Sequence, residues 1–478
     1  MIRRAIALAS VQSYAGTLIQ FAASLVLARL LTPEAFGQAG IALAISAFAN
    51  AFRDAGVTSY LVQVRAIDLQ VLRAAFTVTT AMSVLAAALL LALAPLAQAF
   101  FPDVPLLGLL AIAAIGIVPF PFLANVHATL QREMRFRLLL ALNLLDITVY
   151  ALCALALAFA GFGVYSLIIA TTLGAFANGI ASLAVAESFA RFRFTRQGLR
   201  PIMRYAWIGS GAIFLRTIDE RAFNILCGRI QGAVAVGLFN RAEALLSLYD
   251  KIIAGIMPVL LPAFSDIKRS ERDARPAIVY GFTLLNAAAM LVFGYLALVA
   301  EPAMLFLYGE QWGMAADLVP PLALAAVLSL SLNRLAIPIY VAFDRIDLTI
   351  KAQAIVTPVK VIALLLALPF GLVAAAYALA AVSALSAVIN LGYLRGMLGL
   401  GFAPLAKAML QSLAMAGCAL AAGALLVLVI DDRVTAAWQE LLAVGVVYAL
   451  AGLVAGTALR HPLAGELARV LARARRRV

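Results

Sequence analysis

Four charged side chains fall within six residues, Arg216-Thr217-Ile218-Asp219-Glu220-Arg221, in a segment that otherwise reads as a membrane span. Apolar sequence flanks them from Tyr205 to Gly211 and from Phe223 to Cys227. A charge near the centre of a bilayer costs at least about 2.5 kcal/mol, so it faces a polar interior and marks a pathway. Arginine suits one task there. Its planar fork donates two parallel hydrogen bonds to a phosphate or carboxylate. Further cations stand inside apolar stretches at Arg53, Arg241, Lys251, Arg334 and Lys360, and further acids at Asp146 and Asp250. Intramembrane acids often relay protons or ions, which makes Asp219, Glu220 and Asp250 the candidates for proton or sodium coupling. The simpler reading of these acids, and the favoured one, is charge balance. Arg216 reaches Asp219 at i+3 and Glu220 at i+4 on one helix face.

The elements that position these residues follow from composition. Of 478 residues, 65% are hydrophobic and only 12% charged, and the mean hydropathy is +1.03. A soluble domain carries about 25% charge, so the bilayer is the solvent. With about 20 apolar residues needed per crossing, the chain divides into fourteen spans: 8–30, 38–62, 74–98, 106–128, 138–160, 164–186, 204–227, 237–262, 277–300, 318–343, 350–368, 372–394, 405–430 and 437–459. The first apolar run is too long for the hydrophobic part of a signal peptide and reads as a retained span. No connection is long enough for a folded domain outside the membrane, which excludes ATPase, kinase and glycosyltransferase domains. Pro119 and Pro121 in span 4, and Pro258 and Pro262 in span 8, remove backbone donors and predict kinks. Cys153, Cys227 and Cys418 fall in separate spans, and together with His127 and His461 they make no metal spacing. They read as small buried apolar residues.

Loop charge supports the count. Arg132/Arg135/Arg137, Arg191/Arg193/Arg196/Arg200, Lys268/Arg269/Arg272/Arg275 and Arg473/Arg475/Arg476/Arg477 lie in alternate loops, whereas 99–105 and 301–317 have no Lys or Arg. The positive-inside rule then puts both termini in the cytoplasm and reads the loop arginines as topology determinants and inner-leaflet contacts. The net charge of +13 is therefore membrane topology, with no nucleic acid implied. The tail Leu463–Val478 spaces Leu463, Leu467, Val470 and Leu471 helically and reads as a basic amphipathic helix on the inner leaflet, or as a disordered basic tail.

An internal repeat organises the spans. Ala28-Arg29-Leu30-Leu31-Thr32-Pro33-Glu34-Ala35-Phe36-Gly37 and Gly228-Arg229-Ile230-Gln231-Gly232-Ala233-Val234-Ala235-Val236-Gly237 share an arginine ending one span and a glycine eight residues later opening the next. Spans 1 and 7 become equivalent, which predicts a parallel repeat of six spans. The resulting segments are 1–190, 191–400, an added helix pair 401–460 and a basic tail 461–478. Arg29 and Arg229 then sit at helix ends, where compensating the helix dipole is their expected task.

Leu27-Ala28-Arg29-Leu30-Leu31-Thr32-Pro33-Glu34-Ala35-Phe36-Gly37, Phe52-Arg53-Asp54-Ala55-Gly56, Gln131-Arg132-Glu133-Met134-Arg135-Phe136 and Gly237-Leu238-Phe239-Asn240-Arg241-Ala242 together resemble the Wzx-type polysaccharide-export flippases of the multidrug/oligosaccharidyl-lipid/polysaccharide exporter superfamily. The resemblance implies an all-α polytopic protein with two six-helix lobes in a V around a central cavity lined by spans 1, 2, 7 and 8. It implies a non-enzymatic carrier of the bacterial inner membrane, without a cofactor. The carrier moves undecaprenyl-diphosphate-linked oligosaccharides from the cytoplasmic to the periplasmic leaflet by alternating access. Its partners would be the lipid-linked oligosaccharide, the bilayer, and a polysaccharide polymerase with its chain-length machinery.

The residues agree with that implication. A diphosphate needs cations, and the expected cavity-lining set is Arg53, Arg216, Arg221, Arg241, Lys251 and Arg334. Arg53 and Arg241 lie near span ends, where snorkelling to the interface is the alternative. Asn143, Asn178, Asn224, Asn240 and Asn333 are placed to bond glycan or, more commonly, neighbouring helices. A lipid II flippase of the same superfamily would share the cationic interior, whereas a drug exporter would favour an anionic one. A membrane-embedded polymerase or ligase would carry a large periplasmic loop, and the longest here, 301–317, is short and lacks a catalytic set.

Overall fold

The computed structural model describes the backbone of residues 2–54, 56–64, 67–254, 257–430, 436–466 and 469. Side chains are described over the same residues except 2–15, 54, 206–210, 212, 248, 250–254, 257–259, 330 and 331. Among the described residues there is no strand. The first ten helices are α1 (Ile2–Leu30), α2 (Pro33–Asp54), α3 (Val57–Gln63), α4 (Leu69–Phe100), α5 (Leu106–Ile115), α6 (Phe120–Arg132), α7 (Phe136–Phe159), α8 (Val164–Val185), α9 (Leu199–Ile230) and α10 (Ala233–Ala254). Then come α11 (Met257–Arg269), α12 (Arg275–Leu298), α13 (Ala300–Tyr308), α14 (Val319–Ala342), α15 (Asp347–Ala367), α16 (Leu372–Leu398), α17 (Phe402–Ile430) and α18 (Ala437–Ala458).

Each of the fourteen expected spans coincides with one helix or two consecutive ones. Among the described residues, ten segments are long and apolar enough to cross a bilayer, eleven if α5 and α6 form one span, which does not confirm the count of fourteen. α9 carries Arg216, Asp219, Glu220 and Arg221 at mid-helix, and α10 carries Arg241, Glu243, Asp250 and Lys251. The expected kink in span 4 is present: α5 and α6 meet at 48° across the break before Phe120, where Pro119 and Pro121 stand. The kink expected in span 8 falls at residues 255 and 256, which lie outside the described residues, and Pro262 stands within α11.

The chain forms two compact units, residues 1–237 and 238–478. α9 packs with the first, so the packing division falls later in the chain than the repeat boundary at 190. In the first unit α1 lies on α7, α7 on α8, and α2 on both α4 and α9. The pairing of α2 with α9 is antiparallel, because Ile41 touches Gly228 and Phe48 meets Phe214 edge-on at 5.5 Å. In the second unit α12 packs against α14 and α17, α14 against α16, and α17 against α18. Tyr340 donates to the Asn390 side-chain oxygen at 2.9 Å, and Asn390 donates to Asn333 at 2.9 Å, joining α14 to α16. Of the three cysteines, Cys227 is buried as expected. Cys418 is exposed on α17, a correction that follows from α17 turning much of its apolar surface outward. Most of the tail helix expected over 463–478 lies outside the described residues.

The two repeated glycines meet in space. A Cβ on Gly37 would fall inside the Ala233 carbonyl group, and one on Gly237 inside the Pro33 carbonyl group. The contact is reciprocal across an offset of two hundred residues. Both neighbours are backbone and cannot rotate away, so the cost belongs at or above the upper end of overpacking, about 3 kcal/mol. Gly37→Ala and Gly237→Ala are each expected to lower the melting temperature of the detergent-purified protein, or to prevent its recovery. Gly417→Ala, with nothing within 4 Å of its site, should leave the melting temperature unchanged.

Candidate functional site

α9 is long enough for its charges to lie deep. At about 1.5 Å per residue, 32 residues span about 48 Å, against a hydrocarbon core of about 30 Å. Arg216 through Arg221 occupy the middle of that length. Arg216 Nε lies 2.9 Å from Glu220 Oε1, with the two side chains 71% and 48% exposed. An exposed i,i+4 pair of this kind is worth only about 0.3–0.5 kcal/mol in water. Glu220 is therefore only a weak partner for Arg216. Arg221 is half-buried, and its buried Nε has no hydrogen-bond partner among the described residues. Thr217 returns its hydroxyl to the Ile213 carbonyl at 2.9 Å, satisfying itself within the helix.

Arg53 ends α2, where a cation compensates the helix dipole. Its guanidinium lies 3.7 Å from the centre of the Phe120 ring, the residue that opens α6 after the bend. In the antiparallel pairing of α2 and α9, Phe48 stands level with Phe214, which separates Arg53 from Arg216 by about 10 Å along the helices. The structure thus brings three of the expected cations, Arg53, Arg216 and Arg221, onto one helix pair.

The other expected site residues are distributed elsewhere. Arg241 is 7% exposed, and its guanidinium lies 5.4 Å from the ring centres of both Tyr308 and Trp312. Tyr308 and Trp312 are themselves fully buried. This aromatic clamp was not legible from sequence, since Tyr308 lies in the acidic connection before α14 and no spacing rule links it to α10. Arg334 is half-buried on α14, beside the Asn333–Asn390–Tyr340 ladder. The side chains of Asp250 and Lys251 lie outside the described residues. Asp219 is half-buried on α9. Arg229 stacks on Phe100 at 5.1 Å, consistent with the structural task expected of a helix-end arginine.

A second polar group sits inside the first unit. His127 of α6 and Asn178 of α8 are 3.2 Å apart, Ser182 donates to Asn178 at 3.3 Å, and Asp146 of α7 abuts Gly174. Gly174 carries no side chain, so α8 approaches the carboxylate directly. Asn178 and Asn333 both bond neighbouring helices, as the commoner reading of such asparagines holds.

Residues 26–317 match the model of a family described as "Polysaccharide biosynthesis protein". The chain belongs to the polysaccharide biosynthesis protein family. The succinoglycan biosynthesis transport protein ExoT of Rhizobium meliloti (strain 1021) is 28% identical over 326 residues, 66% of this chain and 64% of that protein. The lipopolysaccharide biosynthesis protein WzxC of Escherichia coli (strain K12) is 22% identical over 340 residues, 68% of this chain and 67% of that protein. These matches span about two-thirds of each curated relative. In fold, this family member is similar to lipid II flippase MurJ in an inward closed conformation, with a TM-score of 0.77 at 13% identity over 94% of this chain and 98% of that one.

Burial divides the cations of this polysaccharide biosynthesis protein into two kinds. Arg241→Ala empties a desolvated aromatic clamp, and the loss of cation–π contact and packing is expected to destabilise the protein by about 2 kcal/mol or more. Arg216→Ala removes an exposed side chain and should change stability by less than about 0.5 kcal/mol. Thermal melts of the two purified variants check the contrast.

Proposed function

We propose that this protein is a flippase. It carries undecaprenyl-diphosphate-linked oligosaccharide units from the cytoplasmic to the periplasmic leaflet of the bacterial inner membrane by alternating access, for the assembly of a surface polysaccharide. The observation that carries the reading is Arg216, 71% exposed at the middle of a helix long enough to span the bilayer. A side chain so placed requires a hydrated surface at mid-membrane. Its weak partner Glu220 leaves it free to exchange a carboxylate for a phosphate, and Arg221 and Arg53 stand on the same helix pair. ExoT is a transport protein of succinoglycan biosynthesis and WzxC a protein of lipopolysaccharide biosynthesis, which supports a polysaccharide precursor as cargo.

Proton or sodium coupling belongs to the same proposal, with Asp219, Glu220 and Asp250 as the acids. Exchange at Glu220 is the simplest form of it, since that carboxylate is the partner Arg216 would give up. A polymerase and chain-length machinery would consume the product on the periplasmic side.

Arg216→Ala is expected to reduce surface polysaccharide at least about tenfold, the effect of losing one charge-assisted contact of about 1.4 kcal/mol or more. Its amount in the membrane should stay normal. Polymer output at the normal level would remove Arg216 from the transport path. Single cysteines at 216 and 221 should react with a membrane-impermeant thiol reagent, and failure to label from either side would contradict a hydrated surface there.

A further inference from the structure

The connection between α8 and α9 and the first turns of α9 carry three arginines, Arg196, Arg200 and Arg204, that the transport reading does not use. An open surface pocket of about 650 Å³ is lined by Arg196, Gly198, Leu199, Arg200, Pro201, Met203 and Arg204. Three of its seven lining residues are arginines and none is acidic. All three arginines are exposed, and among the described residues none of their side chains has a hydrogen bond or an ion pair. The contrast within the same connection is informative: Arg135 pairs with Glu187 at 2.7 Å, so carboxylates near this loop are used, but not here.

The charges also have the unfavourable sign for their position. Arg200 and Arg204 occupy the first two turns of α9, which has no acidic residue in its first turn and no side-chain cap from Gly198. The start of a helix carries partial positive charge and free N–H groups, so cations there destabilise and an anion is stabilised. Arg200 and Arg204 are four residues apart and share a face, adding mutual repulsion. An anion between them and Arg196 relieves all of these terms.

The loop is held in place to receive one. Arg73 donates to the Ala190 carbonyl at 2.8 Å, the Thr195 amide donates to Thr77 at 3.0 Å, and Gln70 donates to Gln197 at 2.8 Å. These three bonds fasten residues 190–197 to α4. Phe189 and Phe194, 66% and 68% exposed, flank the arginines with apolar rings, and Phe76 packs against Phe194 at 5.4 Å. Arginines at the end of a helix longer than the hydrocarbon core are the side chains expected at headgroup level.

We propose that the Arg196–Arg200–Arg204 pocket at the start of α9 binds the phosphate group of an anionic lipid. Phospholipids and polyprenyl diphosphates both supply that chemistry, and the proposal stands whether or not the protein is a flippase.

The test uses the full-length protein in detergent, with retained lipid measured by native mass spectrometry. Phosphatidylglycerol is one probe, zwitterionic phosphatidylcholine a second, and inorganic pyrophosphate a competitor. The triple variant Arg196→Gln/Arg200→Gln/Arg204→Gln is compared with Arg269→Gln/Arg395→Gln/Lys407→Gln, which removes the same charge from exposed positions elsewhere. The wild type and the control triple are expected to retain phosphatidylglycerol over phosphatidylcholine. The site triple should retain it more than about tenfold less, given about 1 kcal/mol per basic residue. Displacement of phosphatidylglycerol by pyrophosphate would support a seat that takes a diphosphate headgroup; displacement only by excess phosphatidylglycerol would support a phospholipid seat. Equal loss in the two triples, or equal retention of the two lipids by the wild type, would overturn the site. Should the site triple not purify, Arg200→Gln alone is measured, with a loss of about fivefold expected and unchanged retention counting against the proposal.

Discussion

Two backbones touch where α2 and α10 begin, and most of the geometry described for the first unit follows from that contact. Pro33 and Gly37 on one turn face Ala233 and Gly237 on the other, and neither glycine has room for a methyl group. Without water in the bilayer core there is little hydrophobic force between helices. Close approach of small residues supplies dispersion and weak C–H···O contacts instead. The contact fixes the axial level of the α1–α2 turn against the α9–α10 turn. That level sets the antiparallel register in which Ile41 meets Gly228 and Phe48 meets Phe214. The register in turn places Arg53 and Arg216 on paired helices.

Burial then assigns different work to chemically identical side chains. Arg241 is enclosed by Tyr308 and Trp312 and holds elements of the second unit together. Arg216, with the same guanidinium, is mostly exposed and weakly paired, which leaves it free to meet a ligand. Arg196, Arg200 and Arg204 are exposed as well but stand at the helix start, where lipid phosphate is the available anion. Arginine in this chain is therefore not one signal but three, separated by depth and by neighbours.

The helical pattern was largely legible in the chain. Apolar runs located the helices to within several residues, and Pro119 and Pro121 marked the 48° bend, because a missing backbone donor acts locally. The repeated Arg-to-Gly spacing pointed to Gly37 and Gly237. It did not reveal that these glycines touch one another. Asp146 was visible as an acid inside an apolar stretch, yet its grouping with His127 and Asn178 was not, since the three lie on three helices.

Composition and periodicity determined that this is a polytopic helical membrane protein with charges it cannot expose to lipid. Those properties depend on each residue and its near neighbours, so a linear reading captures them. The tertiary structure decided which charges are clamped, which are paired and which stand open. Contacts such as Arg241 with Trp312, or Arg53 with Phe120, join residues far apart in the chain whose meeting depends on helix register and rotation, and only the packed bundle specifies those.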